Sequence, residues 1–167
     1  MKNGRKTYTE TYITEALLLL LDKKRYEDIS ITEICRKAGV TRTSFYRHFE
    51  TKDDILSRKT RSITNTFLKE SQISYKNDPF GSYFSKLFSH MHDHLDFFHL
   101  LRKANKFYLI KEEFERVFLN TYKEDYDMYK SAFLAGGIYN IFYFWFMSGC
   151  KEEPALLAEK LDNLFVK

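Results

Sequence analysis

The sequence predicts an all-α fold divided into an N-terminal and a C-terminal domain. Its 167 residues include only 6 Gly and 2 Pro, which leaves little material for the tight turns of a sheet. Apolar residues recur at three- and four-residue intervals along most of the chain, which is the period of amphipathic helices. Charge is uneven, because residues 1–61 hold 14 Lys and Arg against 9 Asp and Glu, whereas residues 62–167 hold 13 against 14. A basic first third indicates that this part meets a polyanion and that the rest has another role.

Three short helices are predicted in the first 50 residues. The first covers about residues 9–24, with apolar residues on one stripe. The second covers about residues 32–38 and ends where Gly39 can take the left-handed conformation. The third begins behind a Thr41 cap and runs to about Phe49. Two short helices joined by one glycine predict a helix-turn-helix.

The third helix and the residues after it carry side chains suited to DNA. The second helix of a helix-turn-helix enters the major groove, and its surroundings grip the phosphates. Hydroxyl and guanidinium donors at its start suit base edges, the guanidinium suiting guanine in particular. The predicted base-contacting residues are Thr41, Arg42, Thr43 and Ser44. The predicted phosphate-contacting residues are Tyr46, Arg47, His48 and Lys52, with Lys2, Arg5 and Lys6 in a basic N-terminal tail.

Each of these side chains taken alone is equally well explained as a solvated surface group. The set is not, because a helix, a glycine turn, a second helix and an aromatic and basic cluster coincide within residues 31–56. We therefore favour DNA binding for this segment.

The string AGVTRTSFYRHFETKDDIL, residues 38–56, resembles the DNA-binding region of the TetR (tetracycline-repressor) family of bacterial regulators. The resemblance extends over about residues 8–56 and implies that Thr41, Arg42 and Thr43 face bases. It also implies a homodimer, an all-helical C-terminal domain and a small-molecule ligand that releases DNA. Matching positions are Ile34, Ala38, Gly39, Val40, Thr41, Phe45, Tyr46, His48, Phe49, Lys52 and Leu56, of which Tyr46, His48 and Lys52 are implied to hold phosphate.

The remaining chain is predicted to form a helical bundle. The predicted domains are therefore residues 1–50, a helix-turn-helix DNA-binding domain, and residues 51–167, a domain for ligand binding and dimerisation. The later string AGGIYNIFYFWFMSG is similar to a TetR subgroup with a short C-terminal domain. Further helices are predicted over about residues 51–73, 80–95, 96–103, 111–122, 126–148 and 155–165, with a break at 76–79.

Residues 131–150 form an uncharged run of 20 residues, long enough to span a membrane. Against that interpretation, the run contains Asn140 and the Gly136–Gly137 pair, and its tyrosines lie in the middle. A helix that is apolar all round can instead be buried in protein, here between its own core and a second copy. The predicted dimer interface comprises Ile138, Ile141, Trp145, Leu157, Leu161 and Leu164.

Aromatic residues of the C-terminal half suit either an apolar ligand pocket or plain core. Four histidines, at positions 90, 92, 94 and 99, are interpreted as exposed or pocket-lining groups, and no metal site is predicted. The candidate pocket residues are Phe84, Phe88, Phe107, Tyr108, Phe114, Phe118, Tyr139 and Tyr143.

These observations predict a homodimeric, cytoplasmic transcriptional regulator that binds a palindromic or near-palindromic operator, and the resemblance implies that it is a ligand-responsive repressor. Two isolated cysteines and the absence of a signal-peptide pattern favour the cytoplasm. A TetR-like co-activator controlled by a protein partner and a membrane-associated helical protein are the alternatives. No nucleophile, phosphate-loop or dinucleotide motif is present, so neither an enzyme nor a cofactor is expected. The sequence leaves the inducer, the operator and the regulated genes open.

Overall fold

A computed structural model describes residues 2–71, 80–121 and 127–165, and the side chains of residues 8–71, 81–119 and 127–163. These residues form helices and connecting turns, and no strand occurs among them. The predicted all-α fold is confirmed. The predicted break at residues 76–79 lies outside the described residues.

Four helices and one 3₁₀ turn make up the N-terminal part. They are α1 (Lys2–Lys23), the 3₁₀ turn (Tyr26–Asp28), α2 (Ile31–Ala38), α3 (Arg42–His48) and α4 (Lys52–Glu70). The predicted start of the first helix at residue 9 is wrong, because α1 begins at Lys2 and includes the segment predicted as a basic tail. No proline precedes Tyr8, so the helical hydrogen bonds can continue to the N-terminus.

Five helices follow in the second part of the described chain. They are α5 (Phe80–His92), α6 (Leu95–Lys103), α7 (Tyr108–Arg116), which continues as a π-helical turn (Val117–Thr121), α8 (Met128–Met147) and α9 (Pro154–Phe165). None of the described helices has the length and apolar character needed to cross a membrane.

The chain divides into two compact units. The first unit combines Met1–Arg61 with Asp96–Leu109, and the second combines Ser62–Leu95 with Ile110–Lys167. α6 thus belongs to the same compact unit as the N-terminal helices. The predicted boundary at residue 50 separates two functions, and it remains a prediction. The core of the first unit includes Ile13, Leu17, Leu21, Ile34, Phe45, Ile55, Phe98 and Leu101.

The second unit has an aromatic core in which α8 takes part. The ring centroids of Phe88 and Trp145 lie 5.7 Å apart, and those of Phe142 and Trp145 lie 6.2 Å apart. The indole N–H of Trp145 donates to the carbonyl of Glu152 at 2.8 Å, so this buried polar group is satisfied. One side of α8 is therefore buried in the core of its own subunit.

Of the six residues predicted to form the dimer interface, three are buried in the core of their own unit. Ile138, Trp145 and Leu161 are buried within the second unit. Ile141 and Leu157 are half-buried, and the side chain of Leu164 lies outside the described residues. A helix that is apolar all round gives no sequence signal for which side faces inward, and the interface proposed below uses the opposite side.

Candidate DNA-binding site

The turn between α2 and α3 is fixed by its own backbone. Gly39 has a φ of 67°, a left-handed conformation that favours glycine. Its N–H donates to the carbonyl of Arg36 at 3.4 Å, and the N–H of Val40 donates to that of Cys35 at 3.0 Å. These bonds close the last turn of α2 and direct the chain into α3. The predicted role of Gly39 is confirmed.

Both helices of the motif begin with a side-chain cap. The Ser30 hydroxyl accepts from the N–H of Glu33 at 3.2 Å, and the Thr41 hydroxyl accepts from that of Ser44 at 3.1 Å. Each cap satisfies an amide that the helix leaves without an internal partner. A capping hydroxyl uses only a lone pair, so the hydrogen of the Thr41 hydroxyl can still be donated to a base.

Burial of two phenylalanines sets the orientation of α3. Phe45 and Phe49 are almost fully buried, with ring centroids 6.0 Å apart. The opposite side of α3 therefore faces solvent, where Arg42 and Thr43 are exposed, while Ser44 is half-buried. Of the four predicted base-contacting residues, Ser44 is thus the one least able to reach a partner.

Arg42 and Tyr46 are paired on the exposed side of α3. The Nη2 of Arg42 donates to the hydroxyl oxygen of Tyr46 at 3.3 Å, and the guanidinium carbon lies 5.9 Å from the ring centroid. Tyr46 itself is 49% exposed. The pair holds a flexible side chain in one orientation, which lowers the entropy lost when a guanidinium binds a base.

We call Thr41, Arg42, Thr43, Tyr46 and Arg47 the donor patch of α3. All five side chains are exposed, and each offers an O–H or N–H donor. No carboxylate belongs to the set, so the surface suits an acceptor-rich, negatively charged partner. A DNA duplex presents such acceptors on its base edges and phosphates.

His48, predicted to contact phosphate, is buried in the first unit. Its Nδ1 lies 3.1 Å from the Oε1 of Glu10 on α1, and its side chain is only 6% exposed. With Nδ1–H donated to that carboxylate, Nε2 is the ring nitrogen left for any further partner. In this fold, the contact of His48 with Glu10 links the end of α3 to α1.

The ammonium group of Lys52, also predicted to contact phosphate, binds two backbone carbonyls. Its Nζ donates to the carbonyls of Tyr26 at 2.5 Å and Ile29 at 2.9 Å. The ammonium also lies 4.2 Å from the ring centroid of Tyr26. An ammonium has three donors, so one remains for a phosphate. The side chains of Lys2, Arg5 and Lys6 lie outside the described residues.

The geometry of this motif agrees with the comparison with known families. Residues 13–58 match the family described as bacterial regulatory proteins, tetR family. This chain carries the DNA-binding domain of a TetR-family transcriptional regulator. The match begins within α1 and ends in the first turns of α4, so it includes the whole donor patch. The comparison with curated proteins found no significant match.

Outside the TetR-family domain, the residues predicted to line a ligand pocket are divided between the two compact units. Three of them, Phe84, Phe88 and Phe118, are at most 1% exposed and belong to the packed core. Phe107 and Tyr108 belong to the first unit, whereas Phe84, Phe88, Phe114, Phe118, Tyr139 and Tyr143 belong to the second.

The second unit instead contains an open groove of about 400 Å³ between α4 and α5. Its apolar floor is Phe67, whose ring centroid lies 5.6 Å from that of His90. His90 also donates from Nε2 to the carbonyl of Ile63 at 2.9 Å, and its ring lies 4.8 Å from that of His94. Within the described residues, no three His, Cys, Asp or Glu side chains are grouped to hold a metal. The polar lining consists of Glu70, Ser71, Ser85, Lys86, Ser89, His90 and Asp93.

Two residues of the first unit were not identified from the sequence. Glu10 contacts His48 across 38 positions of the chain, and Lys106 contacts Asp53 across 53. Neither position stands out from the surrounding periodicity, because each partner is brought close only by tertiary packing. No local signal could have found them.

Proposed function

We propose that this regulator is a homodimeric repressor that binds a two-fold symmetric operator and leaves it when a small molecule binds. The observation that carries the proposal is the donor patch of α3, which is exposed, free of carboxylates and held on a capped helix. A single patch reads only a few base pairs, so a long specific site requires two copies of α3.

An apolar stripe along the exposed side of α8 supports the dimer. Tyr129, Phe133, Phe144 and Met147 are 80%, 68%, 69% and 44% exposed. Their spacing puts them on one side of the helix, together with the half-buried Gly136. We call these five residues the α8 stripe. Exposed apolar surfaces of this kind are typical of interaction sites.

The middle of the α8 stripe allows close approach by a second helix. A Cβ built on Gly136 or Gly137 would meet no other group within 4 Å. Beside Gly137 lies a wholly apolar hollow of about 40 Å³, which Phe133 and Ile141 also line. A second copy of α8, itself uncharged along residues 131–150, can place apolar side chains there without burying a charge.

The groove between α4 and α5 supports the proposal that a small molecule binds this regulator. Its volume lies within the range of small-molecule sites, and it combines an aromatic floor with groups of both charge signs. We infer a small polar effector with an apolar portion. Because α4 runs from the DNA-binding domain into the groove, the effector would act on the helix that follows α3.

Selection from a random-sequence DNA pool by the full-length chain tests the operator and the dimer. We expect an enriched sequence with two-fold symmetry, and sedimentation of its complex at two chains per duplex. Enrichment of a single unrepeated half-site, or a complex with one chain, would contradict the dimeric function and leave DNA binding itself intact.

A second measurement tests the effector. Small polar compounds are screened for release of the enriched duplex, with a Ser89→Trp variant as the matched control because Ser89 lines the groove. We expect a releasing compound to act on the parent chain and not on the variant. A compound that releases DNA equally well from both proteins would place the effector elsewhere.

A further inference from the structure

The end of α6 contributes a residue to the DNA-binding unit. Asn105 has a φ of 56°, and the N–H of Lys106 donates to the carbonyl of Leu101 at 2.8 Å. This arrangement ends α6 with a left-handed residue and fixes the direction of the chain after it. Leu101 and Ala104 are buried in the same unit, so the position of Lys106 is set by packing as well as by hydrogen bonds.

Lys106 contacts the first turn of α4 through Asp53. The Nζ of Lys106 lies 2.6 Å from the Oδ2 of Asp53. The other carboxylate oxygen accepts from the hydroxyl of Tyr26, in the 3₁₀ turn that precedes α2. We call Tyr26, Lys52, Asp53 and Lys106 the Asp53 cluster. One carboxylate therefore joins the turn before α2, the start of α4 and the segment after α6.

The Asp53 cluster is more than an exposed ion pair. Tyr26 is only 5% exposed, and both ammonium groups lie near its ring, Lys52 at 4.2 Å and Lys106 at 5.3 Å from the centroid. Burial raises the pKa of the Tyr26 hydroxyl, as does its bond to Asp53. Burial alone would raise the pKa of Asp53, but the hydrogen bonds from Lys106 and Tyr26 outweigh it and lower that pKa. Asp53 thus holds both Tyr26 and Lys106, while Lys52 is held by the ring and carbonyl of Tyr26 and by the carbonyl of Ile29.

We propose that Lys106 is a positioning residue for DNA binding, although it lies 48 residues beyond the end of the matched family domain. By holding Asp53 and Tyr26, it fixes the first turn of α4 and with it the junction that follows the donor patch. The proposal rests on DNA binding alone and not on the dimer, the operator symmetry or the effector. Lys106 itself makes no contact with DNA in this proposal.

The test is a Lys106→Met variant of the full chain, measured against the duplex enriched from the random pool. Methionine keeps the apolar stem and removes the donors. We expect affinity to fall about fivefold, the size of a coupling between neighbouring side chains. A Lys111→Met variant is the matched control, because Lys111 pairs with Glu115 on the exposed side of α7. That control loses the same charge and should bind as the parent does.

Salt dependence separates positioning from contact. A positioning residue leaves the slope of log affinity against log salt unchanged, whereas loss of a phosphate contact reduces it by about 0.9. A reduced slope for Lys106→Met, or affinity equal to the parent's, would overturn the proposal.

A double-mutant cycle with Asp53→Asn provides the second measurement. We expect the double variant to be little worse than either single variant, because both remove the same contact. Lys106→Arg, which keeps the charge and donors, should bind within about twofold of the parent. Additive losses, or an arginine variant as weak as the methionine variant, would also count against the proposal. Circular dichroism of each variant confirms that the fold is intact.

Discussion

Helices α3 and α8 both present a surface to solvent, and the two surfaces differ in almost every physical respect. The exposed side of α3 is short and carries hydroxyl, guanidinium and phenol donors, with its N-terminus capped by Thr41. The exposed side of α8 runs through 20 residues and carries aromatic and thioether groups together with one amide, that of Asn140. The first surface suits a polar and charged partner, and the second suits an apolar one.

This difference determines how each contact responds to conditions. Binding to the donor patch of α3 should weaken steeply with salt, since phosphate contacts release counterions. Association through the α8 stripe should change little with salt, since burial of apolar surface is not screened. If the proposed dimer forms through the α8 stripe, we expect it to persist while the protein binds and leaves DNA.

The largest effect that we expect is on the free energy of unfolding, and it distinguishes the buried side of α8 from its exposed side. We expect Trp145→Ala to lower the free energy of unfolding by about 3–5 kcal/mol, because it leaves a cavity and removes the partner of the Glu152 carbonyl. The neighbouring Phe144 is exposed, so Phe144→Ala is the matched control. Urea unfolding at several protein concentrations measures both.

Concentration dependence distinguishes these two variants. The loss in Trp145→Ala should be the same at every protein concentration, because it concerns the core of one subunit. Any loss in Phe144→Ala should appear only through the dimer and so vary with concentration. Equal and concentration-independent losses would mean that both side chains lie in one core.

The second prediction concerns a charge introduced into the α8 stripe. We expect Phe133→Glu to weaken the dimer roughly 100-fold or more, because an unpaired carboxylate would be buried in the interface. Sedimentation equilibrium measures the dissociation constant. Leu119→Glu is the control, since Leu119 is exposed and apolar but lies in the π-helical turn after α7. A dimer that tolerates Phe133→Glu would mean that the interface lies elsewhere.

The same two helices show how far the sequence could predict this molecule. In the helix-turn-helix, Gly39, the Thr41 cap and the phenylalanine pair act within a few residues of each other. Their roles can therefore be predicted from their spacing, and the structure places them as predicted. The family match confirms the motif as a whole.

The features that the sequence did not reveal depend on packing between distant segments. Trp145 was assigned to an interface, yet it is buried in its own unit, because a uniformly apolar helix does not reveal its inner side. His48 was predicted to contact phosphate, and its burial against Glu10, which lies 38 positions away, could not be predicted. The grouping of α6 with the N-terminal helices likewise has no local signature.

The third prediction concerns base recognition by α3. We expect Arg42→Ala to cost about 1–3 kcal/mol in discrimination at one position of each half-site, because a guanidinium that binds guanine is lost. Arg36→Ala removes an exposed guanidinium at the end of α2 and is the matched control. Selection from the random pool should change for the first variant and not for the second. An unchanged preference for Arg42→Ala would exclude it from base contact.

The smallest effect concerns the phenol beside Arg42. Tyr46→Phe removes a hydroxyl that accepts from Arg42 and that can donate to a phosphate. If the phosphate contact dominates, affinity falls by about 0.5–1.5 kcal/mol for every DNA sequence alike. We expect this uniform loss, measured as binding to the enriched duplex and to unrelated duplexes. A loss confined to the enriched duplex would instead show that the hydroxyl acts by orienting Arg42, because only base discrimination would then suffer.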